Sequence, residues 1–150
     1  MNRWYADIYD QNETQTDDVE CLRSLIGTQP KRVLEVACGT GRICVPLARA
    51  GHDVDGFDMD EAMLARALRK AEDLPNLRCF ALDALAADWG RGDDIVVMAG
   101  NLFINIATDG DYSRAQRALL EKARRSLNEG GHLYLDFDCV DWPDAPVEPR

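Results

Sequence analysis

The chain has 150 residues, 46% of them apolar, a length and content suited to one compact domain. Its 27 acidic residues outnumber 17 basic ones, and the resulting formal charge of −10 repels polyphosphates and anionic membrane surfaces, so nucleic acid is not expected as a partner. No run approaches the roughly 18 to 20 apolar residues of a membrane helix, and Met1 to Gln15 lacks a signal peptide's apolar stretch, so the expected compartment is the cytoplasm.

In chain order, Asp18 to Ile26 reads as a helix with Val19, Leu22 and Ile26 inward. Five short runs rich in β-branched residues then alternate with helical periods: β1 (Arg32 to Cys38), β2 (Asp53 to Asp58), β3 (Leu77 to Leu82), β4 (Asp94 to Ala99) and β5 (His132 to Asp138). Between β1 and β2, Arg42 to Ala50 places Ile43, Leu47 and Ala50 on one helical face, with Gly51 as its cap. Asp60 caps a second helix with the stripe Met63, Leu64, Ala67, Leu68 and Ala71, ended before Pro75. Ala84 to Gly92 holds at most two turns, and Asp111 to Leu127 is a long amphipathic helix closed by Gly130 and Gly131. This alternation predicts an α/β fold, a doubly wound parallel sheet in a three-layer α/β/α arrangement. After Asp138, Pro143, Pro146 and Pro149 predict an irregular tail.

The segment Glu35-Val36-Ala37-Cys38-Gly39-Thr40-Gly41-Arg42 carries the most chemistry. Gly39 and Gly41 let the backbone turn sharply and approach a ligand, beside a helix N-terminus with unpaired N–H groups. A bare Gly-x-Gly is weak by itself, since any tight strand-to-helix turn uses it. Spacing narrows the ligand: a dinucleotide fingerprint starting at Gly39 needs glycine or alanine where Cys44 stands, and a phosphate loop needs Lys-Ser/Thr where Arg42 and Ile43 stand. Asp58 ends β2, 17 residues past Gly41, where its carboxylate is expected to accept both hydroxyls of a ribose; Asp60 already serves as the helix cap. Asp83 closes β3 at the same sheet edge and is expected either to meet an adenine amino group or to serve as a loop carboxylate.

These residues resemble class I S-adenosylmethionine-dependent methyltransferases of the small-molecule group, written with Glu-x-Ala/Gly-Cys-Gly-Thr-Gly-Arg. The resemblance also covers Asp58 to Leu64, Asp83-Ala84, Met98-Ala99-Gly100-Asn101 and Leu127 to Gly131, five motifs in the family's order. It implies a Rossmann-like methyltransferase fold with strand order 3-2-1-4-5, and S-adenosylmethionine as cofactor with S-adenosylhomocysteine as product. By position, Ala37, Gly39 and Gly41 would line the methionine moiety and Glu35 would fix its ammonium. Asp58 and Met59 would hold ribose and adenine, Met63 would belong to the same cofactor site, and Asp83 and Ala84 would meet the adenine edge. Gly100 and Asn101 would lie under the transferable methyl group, with Leu102 and Phe103 near the substrate. The family more often has glycine where Ala37 stands. Trp4 to Asp10 looks like the family's N-terminal lid, in which Tyr5 and Tyr9 would cover the sulfonium or simply pack. On this reading residues 1–138 form the cofactor-binding core, with 1–30 as lid and helix, and 139–150 are the tail.

A direct methyl displacement asks chiefly for alignment and exclusion of water, and no catalytic base is identified. His52 and His132 lie away from the strand C-termini and read as structural. The carboxylates of Asp136, Asp138 and Asp141 are expected to diverge, so no metal is expected. The five cysteines (Cys21, Cys38, Cys44, Cys79, Cys139) form no C-x-x-C pair and read as small buried apolar residues. A cofactor-binding or regulatory module without catalysis stays open as a second reading, and a nicotinamide oxidoreductase as a third. The family's sheet continues with a hairpin, in the order 3-2-1-4-5-7-6. Since this sequence stops after β5, it is expected to be a piece of a longer enzyme that self-associates through the β5 edge or folds its tail across it.

Overall fold

The computed structural model describes residues 3–12 and 16–138; the expected tail, 139–150, lies outside them. Five parallel strands form one sheet in the order β3-β2-β1-β4-β5. They are β1 (Arg32–Val36), β2 (Asp53–Asp58), β3 (Leu77–Ala81), β4 (Asp93–Met98) and β5 (Leu127–Leu135), joined and flanked by α1 (Arg3–Asn12), α2 (Asp17–Ile26), α3 (Cys44–Arg49), α4 (Glu61–Lys70) and α5 (Tyr112–Ser126). The parallel sheet is the one expected from the alternation of strand and helix, and its order is the one the family resemblance implies.

Alternation along the strands divides the core in two. Val33, Val54, Ile95 and Val97 join Leu22, Leu47 and Leu64 on the face covered by α2, α3 and α4. Leu34, Val36, Phe57, Val96 and Met98 join Leu119 and Ala123 of α5 on the opposite face. Successive strand residues point to opposite sides, so a central strand buried on both faces must be apolar at nearly every position. Glu35 breaks that rule in β1 while remaining only 5% exposed.

Several expected boundaries shift for local reasons. β1 ends two residues early because Ala37 takes a left-handed φ of 57°. The next helix starts at Cys44 rather than Arg42, residues 39–43 being spent on turns. Asp60 caps α4 as expected, accepting from the backbone N–H groups of Ala62 and Met63, but Leu68, placed in the apolar stripe, faces solvent. Residues 84–92 form turns and bends without a helix.

The largest correction concerns β5. The stretch Leu127–Gly131, read as helix end and cap, is extended and continues into β5. Asp93 pairs with Leu127 while Ile95 pairs with His132, so residues 128–131 bulge out of the ladder. Gly130 has φ 77°, and a Cβ on Gly131 would stand 3.0 Å from the carbonyl oxygen of Asp94. The two glycines therefore mark a bulge at the sheet edge, where such irregularities concentrate, rather than a helix cap. His132 consequently lies within β5, not at its start.

Candidate functional site

Parallel strands deliver their C-terminal ends to one edge of the sheet, and the chain reverses its winding direction between β1 and β4. The crevice at such a switch point is where open α/β sheets bind ligands. Here β1 runs into the turn Ala37-Cys38-Gly39-Thr40-Gly41, with positive φ at Ala37, Gly39 and Gly41. A side chain at Gly41 would be both strained, at φ 83°, and crowded: its Cβ would stand 3.1 Å from Val45 Cγ2 and 3.3 Å from Ala67 Cβ.

Two connected hollows open over this turn. The first is lined by Tyr9, Glu35, Ala37, Gly39, Arg42, Asp58, Met63 and Gly100. The second, an apolar slot, is lined by Ala37, Phe57, Asp58, Met59, Leu82, Asp83, Ala84 and Leu85. Leu102 borders both. Ten of the twelve expected site residues thus line these hollows. The exceptions are Gly41, which packs against Val45 and Ala67 within the turn, and Asn101.

Glu35 dominates the electrostatics of the first hollow. Burial pushes its carboxyl up from 4.5 to about 8, against hydrogen bonds from Cys44 that favour the ionised form. Its Oε2 atom is buried without a hydrogen-bond partner. A buried orphan acceptor costs stability unless a ligand satisfies it. The group that would repair both defects is a cation with N–H donors.

Asp58 is less free than its position in the sequence implied. One carboxylate oxygen accepts from Gly39 N at 2.9 Å and the other from Asp60 N at 2.8 Å. The side chain therefore staples the end of β2 to the glycine turn, and each oxygen keeps one lone-pair direction for a ligand. Asp83 behaves as a loop carboxylate. Its Oδ1 caps the following turn by accepting from Leu85 N and Ala86 N, and only its second oxygen remains for a ligand.

Helix α1 reaches this edge through charge. Arg66 and Lys70 of α4 pair with Asp10, Lys70 at 2.8 Å, and Arg66 also pairs with Asp7. Tyr9 borders the first hollow and hydrogen-bonds to Arg42. Arg42 in turn grips Asp18 of α2 with both terminal nitrogens, at 2.8 and 2.7 Å. Burial pushes the Asp18 carboxyl up, but the Arg42 guanidinium outweighs this and holds it below its ordinary value. The pair joins the glycine turn to both N-terminal helices. Sequence reasoning used Asp18 only as a helix boundary, because a carboxylate paired with a residue 24 positions away leaves no periodic signal. The side chain of Tyr5 lies outside the described residues.

After β4, Gly100 borders the first hollow and Asn101 sits beside it with φ 67°. Asn101 does not line that hollow: its side-chain amide donates to Asp138 at 2.8 Å and its carbonyl oxygen accepts from Asp138 N at 2.7 Å. Asp136 accepts from Gly100 N at 3.2 Å. The two carboxylates, expected to diverge, converge on this turn, since residues two apart in extended chain share a side. Phe103 stacks near Phe137, 6.4 Å between ring centroids, and borders neither hollow. The histidines lie apart from the edge: His52 is buried among the helices, its imidazole pushed below its usual pKa by burial and by Arg23 and Lys31.

Comparison with known proteins identifies the family and the fold. Residues 33–131 match the family model described as a methyltransferase domain. The putative methyltransferase YqeM of Bacillus subtilis is 34% identical, covering 88% of this chain and 53% of its own length. Among solved structures, the CcbJ methyltransferase from Streptomyces caelestis superposes with a TM-score of 0.72 at 28% identity, over 85% of this chain and 53% of that one. The TehB-like SAM-dependent methyltransferase from Corynebacterium glutamicum also gives 0.72, at 24% identity over 88% of this chain and 72% of that one. The chain spans about half the length, or less, of the curated relatives it matches.

Proposed function

Because the chain belongs to the methyltransferase domain family, we propose that it binds S-adenosylmethionine in the paired hollows and directs its methyl group to a small-molecule acceptor. The observation that carries this reading is Glu35 Oε2, a buried acceptor without a partner that borders the hollow. It suits the ammonium of an amino-acid moiety, a cation whose N–H donors would satisfy the orphan oxygen and favour the ionised carboxylate.

In this reading Glu35 holds the ammonium, while Gly39 and Ala37 let the backbone approach the methionine chain. Asp58 accepts from the ribose hydroxyls with the lone pairs left over from Gly39 N and Asp60 N. Met59 and Ala84 sandwich the adenine in the apolar slot, and the second oxygen of Asp83 takes its amino group. Tyr9 presents its ring or hydroxyl to the sulfonium, where an aromatic face contributes about 0.5 to 2 kcal/mol. The bound cofactor supplies a methyl group activated by a positively charged sulfur. For the displacement, this chain aligns the methyl toward the opening at Gly100 and excludes water with α1. Asn101 acts by fixing that turn through Asp138.

Isothermal titration calorimetry tests the assignment. S-adenosylmethionine and S-adenosylhomocysteine should bind in the micromolar range, and NAD should not. Tight NAD binding with neither adenosyl ligand would reverse it. Asp58→Ala should weaken binding about tenfold or more through lost charge-assisted bonds of about 1.5 to 3 kcal/mol each. The reading extends to a cytoplasmic enzyme, in line with the absence of any helix long and apolar enough to cross a membrane among the described residues. It also extends to self-association along β5, an edge strand carrying Leu133 and Leu135 beyond its bulge. Sedimentation should then show concentration-dependent dimers; a strict monomer at all concentrations removes that part.

A further inference from the structure

Three thiols meet beneath the glycine turn. Cys38 lies within the turn, Cys44 opens α3 and Cys79 sits in β3, yet their Sγ atoms all lie within 4.8 Å of one another. Cys38 and Cys44 are buried and Cys79 is half-buried. The space they occupy is made by Gly56 in the middle of β2, where a Cβ would stand 3.0 Å from Cys38 Cβ, 3.1 Å from Cys38 Sγ and 3.6 Å from Cys44 Sγ. Gly56 does not have the positive φ that would demand glycine for its own sake. Glycine inside a strand costs about 0.5 to 1 kcal/mol, so its presence there is explained by the sulfur atoms it accommodates.

Single buried cysteines are ordinarily small apolar residues. Three sulfur atoms brought to one point from three elements, with a neighbouring residue reduced to glycine, are what a ligand set requires. We propose that Cys38, Cys44 and Cys79 form a binding site for a soft, thiophilic metal ion beneath the first hollow, which Cys38 also borders. Metal–sulfur bonds of about 2.3 Å place ligating sulfur atoms about 3.8 to 4.0 Å apart in tetrahedral or trigonal geometry, so the thiols close by no more than roughly 1 Å. An all-sulfur set selects ions such as Cu(I), Zn(II) and Cd(II) over hard ions such as Mg²⁺. Each thiol that ligates gives its proton to solvent, and the part-exposed Cys79 offers the way in. The ion would join the end of β1, the start of α3 and the middle of β3 in one cross-link.

The test uses the full chain with Cys21→Ser and Cys139→Ser, under reductant, so that only the three thiols remain. Cd²⁺ should saturate at one equivalent per chain, with near-ultraviolet thiolate-to-metal charge-transfer absorbance and a raised melting temperature, unaffected by excess Mg²⁺. Cys79→Ala, at the half-buried position where folding is least at risk, should weaken Cd²⁺ binding at least tenfold while far-ultraviolet circular dichroism stays unchanged. Gly56→Ala, crowding the same sulfur atoms, should weaken it as well. Absence of saturable binding, or binding indifferent to Cys79→Ala in a folded protein, would overturn the site and leave the trio as packing. Neither result depends on S-adenosylmethionine.

Discussion

Two residues at the end of β1 hold the site in an energetically unfavourable state. Ala37 sits at φ 57°, which costs a residue with a Cβ about 1 to 2 kcal/mol, whereas glycine there gives up about 0.5 to 1 kcal/mol of chain entropy. Ala37→Gly should therefore raise unfolding free energy by about 0.5 to 1 kcal/mol in denaturant titrations. Glu35 adds a pH dependence. It keeps its proton up to about pH 8 in the folded chain against 4.5 in the ordinary state, so between these values the folded state binds more protons. Its contribution makes stability fall as pH rises through that window, and Glu35→Gln should flatten the slope in melts across it. If Glu35 meets the ammonium as an anion, cofactor binding below about pH 8 must expel that proton. Affinity then rises with pH toward 8 in the wild-type chain and not in Glu35→Gln, as calorimetry in buffers of different ionisation enthalpy would show. Gly39 and Asp58 were singled out by motif spacing and Glu35 by the family resemblance, and all three border the first hollow. That Asp58 already serves two backbone donors was not legible in the sequence, because only the folded turn brings Gly39 N within reach of it.

Among the elements, α4 is the one that sequence described best: a capping aspartate, an apolar stripe and basic residues in the last turn all act locally. Asp60→Ala should cost about 1 kcal/mol, the usual worth of such a cap, in thermal unfolding. The start of α3 and the whole first half of β5 were misread because the same glycines that punctuate helices also relieve turns and bulges. Only pairing with β4, which is set by tertiary contact, decides between those uses. Helix α1 is held at the site by ion pairs and by the Tyr9–Arg42–Asp18 chain rather than by a large apolar face. Arg42→Ala should accelerate hydrogen exchange in α1 and α2 and weaken S-adenosylmethionine binding severalfold, leaving exchange in the central strands protected. Arg42→Lys should recover little of this, since an ammonium cannot reproduce the two-pronged grip on Asp18.

Across the whole molecule, a parallel sheet covered by helices was legible because apolar runs too short for helices alternated with helical periods, whereas the strand order 3-2-1-4-5 followed from the family resemblance. The position of β1 at the centre of the sheet has a consequence for how the chain reaches its native state. Val33 pairs on one side with Val54, 21 residues on, and on the other with Ile95, 62 residues on. Closing the longer loop costs more chain entropy before any contact repays it. The half containing β1, α3, β2, α4 and β3 is therefore expected to organise first, with β4 and β5 docking onto a formed edge. In a mutational analysis of folding rates, Val54→Ala should slow folding, while Val96→Ala should mainly speed unfolding. On this order of events the glycine turn takes shape before the strand that later closes the acceptor side of the pocket, so the two halves of the ligand site are assembled in succession.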